Sequence, residues 1–393
     1  MNAPVTRQAP GKLVLAGEYA VLTPGQLALV AAVDRYVTVT ATPAHRADVE
    51  LVTDLVDHPV ELYRDCDGLR PRQQQHDAAF VSGALTHLVA VVEATDRLRA
   101  ELGLRPVPVR LSVRSCLHQS GVKIGLGSSG AVTVAAVHAL TDFAGPSLGA
   151  EMRFRLALLA SLTLDVHASG ADLAASTWGG WIRYSAPDRQ ALHHLMHLRG
   201  LLAALHAEWP GLSLNPLAPP STVTLHPGWT GRPASTTAKV SHLQHTTWWH
   251  SAAHQRFCSH SSHLVEELTD ALDRDDSLCV LAAIDAAREL LLGLDEQAVL
   301  GIFTPELTTL CDMAKAAGGA GKPSGAGGGD CGIAFLTSAT GPGDLHRHWR
   351  ASGITPLRLA AAQSQLVSPP ARIGPHPDST LPTPAVPIPR TVP

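Results

Sequence analysis

The chain has 393 residues, enough for two domains of ordinary size. Hydrophobic residues make up 45% and charged residues 16%, which excludes coiled-coil, collagenous and largely disordered chains. Thirty Lys and Arg against 34 Asp and Glu give a net charge of −4, so no broad basic field exists for nucleic acid or an anionic membrane, and an anionic ligand must be held locally.

Near the N-terminus, PGKLVLAGEYAVL places Lys12 at the start of an apolar strand and Glu18 just after a turn at Gly17. From Leu27 to Thr42 an apolar run passes into strict alternation, the pattern of a half-buried antiparallel strand. Val81, Leu85, Leu88 and Val92 recur at spacings of three and four and predict a helix over 78–102. A strand follows at Val107, then a polar glycine-bearing loop that runs into the apolar helix AVTVAAVHAL. GGWIRYS reads as a strand. The Leu- and His-rich stretch from Pro187 to Pro220 places a domain boundary near residue 186.

Helical patterns cover roughly 257–273, 278–293 and 305–317. The last has Thr304 as N-cap, Pro305 at its first position and Gly318 past its end. GIAFLT is a strand, 342–352 a helix and ITPLRLA a final strand, so the second half mixes helices with antiparallel strands. The domains are therefore expected at 1–186 and 187–365. Residues 366–393 hold nine prolines in 28 positions and are expected to form a flexible tail. Six cysteines without a CxxC pair suggest reduced thiols, the N-terminus has no apolar stretch of signal-peptide length, and the longest apolar-rich run, Leu156 to Leu164, is far short of a membrane span, so a soluble cytoplasmic protein is expected.

The segment Gly125-Leu126-Gly127-Ser128-Ser129-Gly130 carries the clearest chemistry. Its glycines permit close approach of a ligand, and the helix that follows aims free N–H groups at it, which suits phosphate. The dinucleotide fingerprint is disfavoured because the preceding strand is about ten residues away and no acidic residue sits about 20 positions on in a following strand. A Walker loop is excluded because Lys123 precedes the loop instead of following its last glycine. The bland alternative is a serine-capped helix. A second glycine run, Gly318 to Gly332, has eight glycines in 15 residues and offers a backbone nest for anions, with Lys322, Ser324 and Asp330 adding polar contacts; the alternative is a bulge-rich turn. Asp172, in Ser169-Gly170-Ala171-Asp172, stands where a helix start either holds its carboxylate near a ligand or is simply capped by it.

PGKLVLAGEYAVL, GLGSSGAVTVA and KPSGAGGGDCGIAF, in this order and separation, resemble the three motifs of the GHMP kinase superfamily. The resemblance covers about residues 8–360. Within the superfamily AVDRYVTV, SGADLAASTWGGWIRY and GWTGRPAST are most similar to the bacterial phosphomevalonate kinases. It implies an α+β fold of two domains, the first like ribosomal protein S5 domain 2 and the second ferredoxin-like, with ATP and acceptor in the cleft between them. By the same resemblance Lys12 and Asp172 are catalytic, and Lys123 with Gly125, Leu126, Gly127, Ser128, Ser129 and Gly130 surrounds the ATP phosphates. Ser129, and with it Ser128, lies near Mg2+, while Ser324, Gly325, Ala326 and Gly327 steady the phosphates from the other side. Glu18, Tyr19, Ser169, Gly170 and Ser324, together with Lys12 and Asp172, line the acceptor site.

The implied reaction is ATP-dependent phosphorylation of 5-phosphomevalonate, by a monomer or homodimer with no nucleic-acid or membrane partner. The alternatives are a related kinase acting on a hydroxyl, such as a mevalonate kinase, and a silent nucleotide-binding homologue. Two departures stand out. The segment LASLTLDVHASGAD contains no Glu to hold Mg2+, leaving Asp165 as a substitute, and Gly130 stands where alanine is more usual, loosening the first helical turn by up to about 1 kcal/mol. Arg35, Arg183, Lys239 and Lys322 are candidates to grip the acceptor phosphate. His250 and His254 could share a helix face but lack a metalloprotease glutamate, since Ser251 follows the first. Trp248 and Trp249 are expected in the core or the cleft wall.

Overall fold

The computed structural model describes residues 2–364 except 55, 67, 72–82 and 120, so the expected tail at 366–393 lies outside the described residues. The first half is built on β1 (Val5–Ala16), β2 (Leu27–Pro43), β3 (Val49–Thr53), β4 (Val60–Asp65) and β5 (Gly68–Pro71). Helix α1 (Gly83–Glu101), strand β6 (Val109–Ser115) and a small hairpin of β7 (His118–Gln119) and β8 (Val122–Lys123) follow. Then come α2 (Ser128–Ala144), α3 (Ala150–Leu162), α4 (Ala171–Trp178) and β9 (Trp181–Ser185).

The expected boundary near residue 186 falls inside this unit. Helices α5 (Arg189–Arg199) and α6 (Leu201–His206) pack on α1 and α3, and β10 (Ser213–Leu217) pairs with β9. The sheet order is β10-β9-β2-β6-β3-β4-β5, with β1 along the other edge of β2, and β3–β6 is parallel while the other neighbouring strands of this sheet pair antiparallel. We therefore place the division after residue 217.

The second half consists of β11 (Val223–Trp229), α7 (Thr236–Gln244), α8 (Ala252–Asp273), α9 (Ser277–Ala298) and α10 (Pro305–Ala316), followed by β12 (Ala320–Pro323), β13 (Cys331–Thr337), α11 (Gly343–Ala351) and β14 (Thr355–Pro356). Its antiparallel sheet runs β12-β13-β11-β14, with α9 and α10 packed on it. The Thr304 side chain caps α10 as its sequence predicts, accepting from Leu307 N–H. The strand expected over ITPLRLA shrinks to the two residues of β14, at the edge of the sheet.

Strand β2 explains how the halves join. Its first part, Ala28–Val33, is buried on both faces, because α2 and α4 pack against it and α8 also reaches it, Ser262 Oγ accepting from Leu27 N–H. Its later part alternates because one face meets solvent. Helix α2 is apolar all round, with 13 of its 17 residues buried, so it runs through the first half as a core element and holds its N-terminus fixed. A continuous apolar cluster extends from Leu13 and Leu29 to Val223, Ile333 and Phe335, and Trp181 meets Phe335 edge-on at 6.2 Å. Each fully buried leucine there contributes about 1.5–3 kcal/mol, so the two halves hold a defined relation.

Candidate active site

Three segments distant in sequence meet at the loop before α2. Strand β1 and the loop are tied by Lys12 N–H donating to Leu126 O at 2.9 Å. The Lys12 side chain then lies across Gly127, where a β carbon would stand 3.0 Å from its Cγ and 3.1 Å from its Cε. Gly127 also takes the left-handed conformation, φ 72°, that turns the loop into the helix. Beyond Gly127 the Lys12 ammonium reaches the second glycine loop, with Nζ 3.8 Å from the position of a β carbon on Gly325. One lysine thus spans both glycine segments.

Asp172 reaches the other end of the loop. Gly170 starts α4 in the left-handed region, Ser169 Oγ accepts from Ala171 N–H, and the buried Tyr184 hydroxyl donates to Ser169 O. Ser169 and Gly170 are therefore used to build the turn that delivers Asp172. A methyl group on Gly130 would lie 2.5 Å from Asp172 Oδ2, so glycine at 130 makes room for this carboxylate. The looser helical turn expected from the sequence has this structural use. At the start of the loop Asp330 stands in the same relation to Gly125, its Oδ2 2.8 Å from a would-be β carbon, while its Oδ1 accepts from Ala234 N–H. Burial raises the Asp330 proton affinity, with Lys12 and Lys123 opposing.

The loop's own donors remain open. The first backbone bond of α2 is Ala131 N–H to Gly127 O, which leaves the N–H groups of Ser128, Ser129 and Gly130 for a ligand at the positive end of the helix. Ser128 and Ser129 are half-buried, and their hydroxyls have no partner among the described residues. Lys123 is exposed beside the loop.

Glu18, Tyr19 and Ser324, expected against the acceptor, have another task. Ser324 Oγ accepts from Val14 N–H at 2.9 Å and donates to Val14 O at 3.0 Å, clasping β1. Tyr19, in a left-handed conformation at φ 61°, donates its hydroxyl to Ala326 O at 2.6 Å, and burial raises the pKa of that phenol. Glu18 pairs with Lys322, which is fully buried and so cannot grip an acceptor in the cleft. Gly327 packs against Ile302, 2.5 Å from its carbonyl oxygen to a would-be β carbon. Lys239 Nζ donates to the carbonyls of Leu300 and Gly301. Asp165 accepts from His167 N–H within its own turn, so the carboxylates that reach the loop are Asp172 at its end and Asp330 at its start. His254 accepts from His250 N–H, bonds Thr23 Oγ1 and stacks on Trp249 at 4.3 Å, a packing role.

Sequence reasoning missed His87 on α1. Thr133 Oγ1 donates to Ser129 O, so it accepts from His87 Nδ1–H, and Nε2 is left as the free ring nitrogen. Burial lowers the His87 pKa, with Asp172 opposing and Lys123 reinforcing the shift. A lone histidine on a helix carries no signal of this placement.

With this geometry in place, the comparisons with known proteins are specific. The model of the GHMP kinases N terminal domain matches residues 89–180, and that of the GHMP kinases C terminal domain matches residues 270–355. A phosphomevalonate kinase of Streptomyces sp. (strain CL190) is 47% identical over 364 residues, 91% of this chain and 97% of that protein. The solved Streptococcus pneumoniae phosphomevalonate kinase in complex with phosphomevalonate and AMPPNP superposes with TM-score 0.78 at 27% identity, covering 91% of this chain and 99% of that one. A mevalonate kinase of Thermococcus onnurineus is 26% identical, over 83% of this chain and 87% of that protein. The chain belongs to the GHMP kinases, within the phosphomevalonate kinase family, and is a phosphoryl-transferring enzyme with their two-domain α+β fold.

Proposed function

We propose that the chain transfers the γ-phosphoryl group of ATP to the phosphate of (R)-5-phosphomevalonate, giving (R)-5-diphosphomevalonate and ADP in the mevalonate pathway of isoprenoid precursor synthesis. The observation that carries this reading is Lys12, laid across Gly127 and reaching Gly325, so that one cation serves both glycine loops. The identity with the Streptomyces enzyme and the phosphomevalonate in the Streptococcus complex support the acceptor.

In the reaction an oxygen of the acceptor phosphate bonds to the γ-phosphorus as the bond from that phosphorus to the β,γ-bridging oxygen breaks, and ADP carries the leaving charge. A phosphate monoester has a second pKa near 6 and is largely dianionic at neutral pH. It needs no general base. The task is to bring two anions into line, which the Lys12 ammonium and the free N–H groups of Ser128–Gly130 do by offsetting their repulsion and the transition-state charge. Mg2+ fits here because the open donors are hard oxygens, the Ser128 and Ser129 hydroxyls and Asp172 Oδ2, while Asp172 Oδ1 accepts from Leu173 N–H. Ser129 would hold the ion with Asp172 assisting, and the bound ion supplies positive charge to the phosphate oxygens. Lys12 reaches both glycine loops whereas Asp172 reaches only the end of the first, so Lys12 carries more of the catalysis than Asp172.

Among the described residues no helix is long and apolar enough to cross a membrane, and we place the enzyme in the cytoplasm as a monomer or homodimer. The test is ADP release with Mg·ATP, comparing 5-phosphomevalonate with mevalonate and including Lys12→Ala. Turnover confined to the phosphorylated acceptor and lost in the variant supports the assignment. Turnover of mevalonate alone would move the acceptor to a hydroxyl, and ATP binding without either turnover would point to a silent homologue.

A further inference from the structure

The second glycine loop is held by a charge pair buried between the two halves. Lys322 on β12 has no exposure, and its ammonium donates to Glu18 Oε1 and to Pro323 O. Glu18, from the turn after β1, has a side chain only 3% exposed and lies 304 positions away in sequence. The same Oε1 receives Gly325 N–H at 3.4 Å, and Gly325 faces Lys12 Nζ. A desolvated carboxylate therefore sits one residue's width from the lysine assigned to phosphate. A bare charge there would draw Lys12 away and repel an incoming anion, because burial weakens screening. Ion pairs of this kind seldom add net stability over apolar packing of the same volume, so stability alone does not account for it.

We propose that Lys322 and Glu18 are positioning residues for nucleotide binding: Glu18 anchors the Gly325 amide, and Lys322 cancels the carboxylate charge that would otherwise weaken binding of Mg·ATP. The proposal rests on the kinase function given above. It predicts an asymmetry between the partners that a purely structural ion pair would not produce.

The experiment measures KM for Mg·ATP and kcat at pH 8, with circular dichroism to establish folding, in wild type, Lys322→Met, Glu18→Gln and the double variant. Lys322→Met is expected to raise KM at least about tenfold at pH 8. Glu18→Gln keeps an acceptor for Gly325 N–H and leaves a positive charge, so it lowers kcat without raising KM. The double variant returns KM to within about threefold of wild type. Equal KM increases in both single variants, or a double variant as impaired as Lys322→Met, would each overturn the proposal. If Lys322→Met does not fold, the double variant decides: KM within about threefold sustains the proposal and a larger rise refutes it. Failure of the kinase assignment is seen separately, as wild type that does not turn over 5-phosphomevalonate.

Discussion

In the loop from Gly125 to Gly130, the N–H groups of Ser128, Ser129 and Gly130 and both serine hydroxyls are left without partners among the described residues. In the run from Lys322 to Asp330, by contrast, Lys322, Ser324, Gly325, Ala326 and Asp330 each spend a polar group on another part of the chain. Both stretches are glycine-rich, yet the first is fixed from beneath by a buried helix and can leave its surface open. The second bridges two sheets and uses its side chains and carbonyls as fasteners. Glycine content therefore marks where backbone comes close to something, and the surrounding bonds decide whether that is a ligand or another strand.

The contrast is tested most severely at Lys12, the residue shared by both loops. Lys12→Ala is expected to lower kcat about 10³-fold, about 4 kcal/mol of transition-state stabilisation, with the melting temperature little changed; ADP release and a thermal melt measure both. A loss under tenfold would mean that the backbone donors of the first loop suffice alone.

The rigidity under the open loop has its own signature. His138 on α2 is 8% exposed, and burial with Arg153 nearby pushes its pKa down to about 4, below the usual 6.5. Folding therefore favours the neutral ring. Its contribution is complete above pH 6.5 and is lost as pH falls toward 4, on the order of 3 kcal/mol. Chemical denaturation at pH 7 and pH 4.5 is expected to lose stability in wild type and to lose less in His138→Gln.

Gly130→Ala separates space from helix propensity. The methyl group must displace Asp172 Oδ2, so kcat is expected to fall about tenfold, about 1.4 kcal/mol, while the melting temperature holds or rises, because alanine is the better helix former. Unchanged kcat would mean that the Asp172 position is not critical.

The smallest effect belongs to the fastened loop. Tyr19→Phe removes the bond to Ala326 O and is expected to cost about 1 kcal/mol of stability and to raise KM for ATP severalfold, with kcat nearly kept. Urea unfolding and steady-state kinetics check this, and a kcat loss matching Lys12→Ala would place Tyr19 against the reacting atoms instead.

The elements that local pattern writes plainly were the ones legible in the sequence. The turn from apolar run to alternation locates β2, and Thr304-Pro305 locates the start of α10. The segment between 187 and 217 was opaque because its short helices α5 and α6 and its proline-bearing strand β10 are stabilised by distant partners, α1, α3 and β9. The hairpin β7–β8 has two residues per strand, too few to show a period.

At the site, the sequence by itself determined the membership of the constellation: Lys12, the Gly125–Gly130 loop, Asp172 and the second glycine run, since residue types and order survive without coordinates. Only the tertiary structure decided the division of labour. It turned Glu18, Tyr19 and Ser324 into fasteners, buried Lys322, gave Gly130 its use as room for Asp172, and brought His87 beside the loop. The physical reason is that a polar side chain acts on whatever partner the fold places within about 3 Å of it, and here those partners lie as much as 310 positions away in the chain.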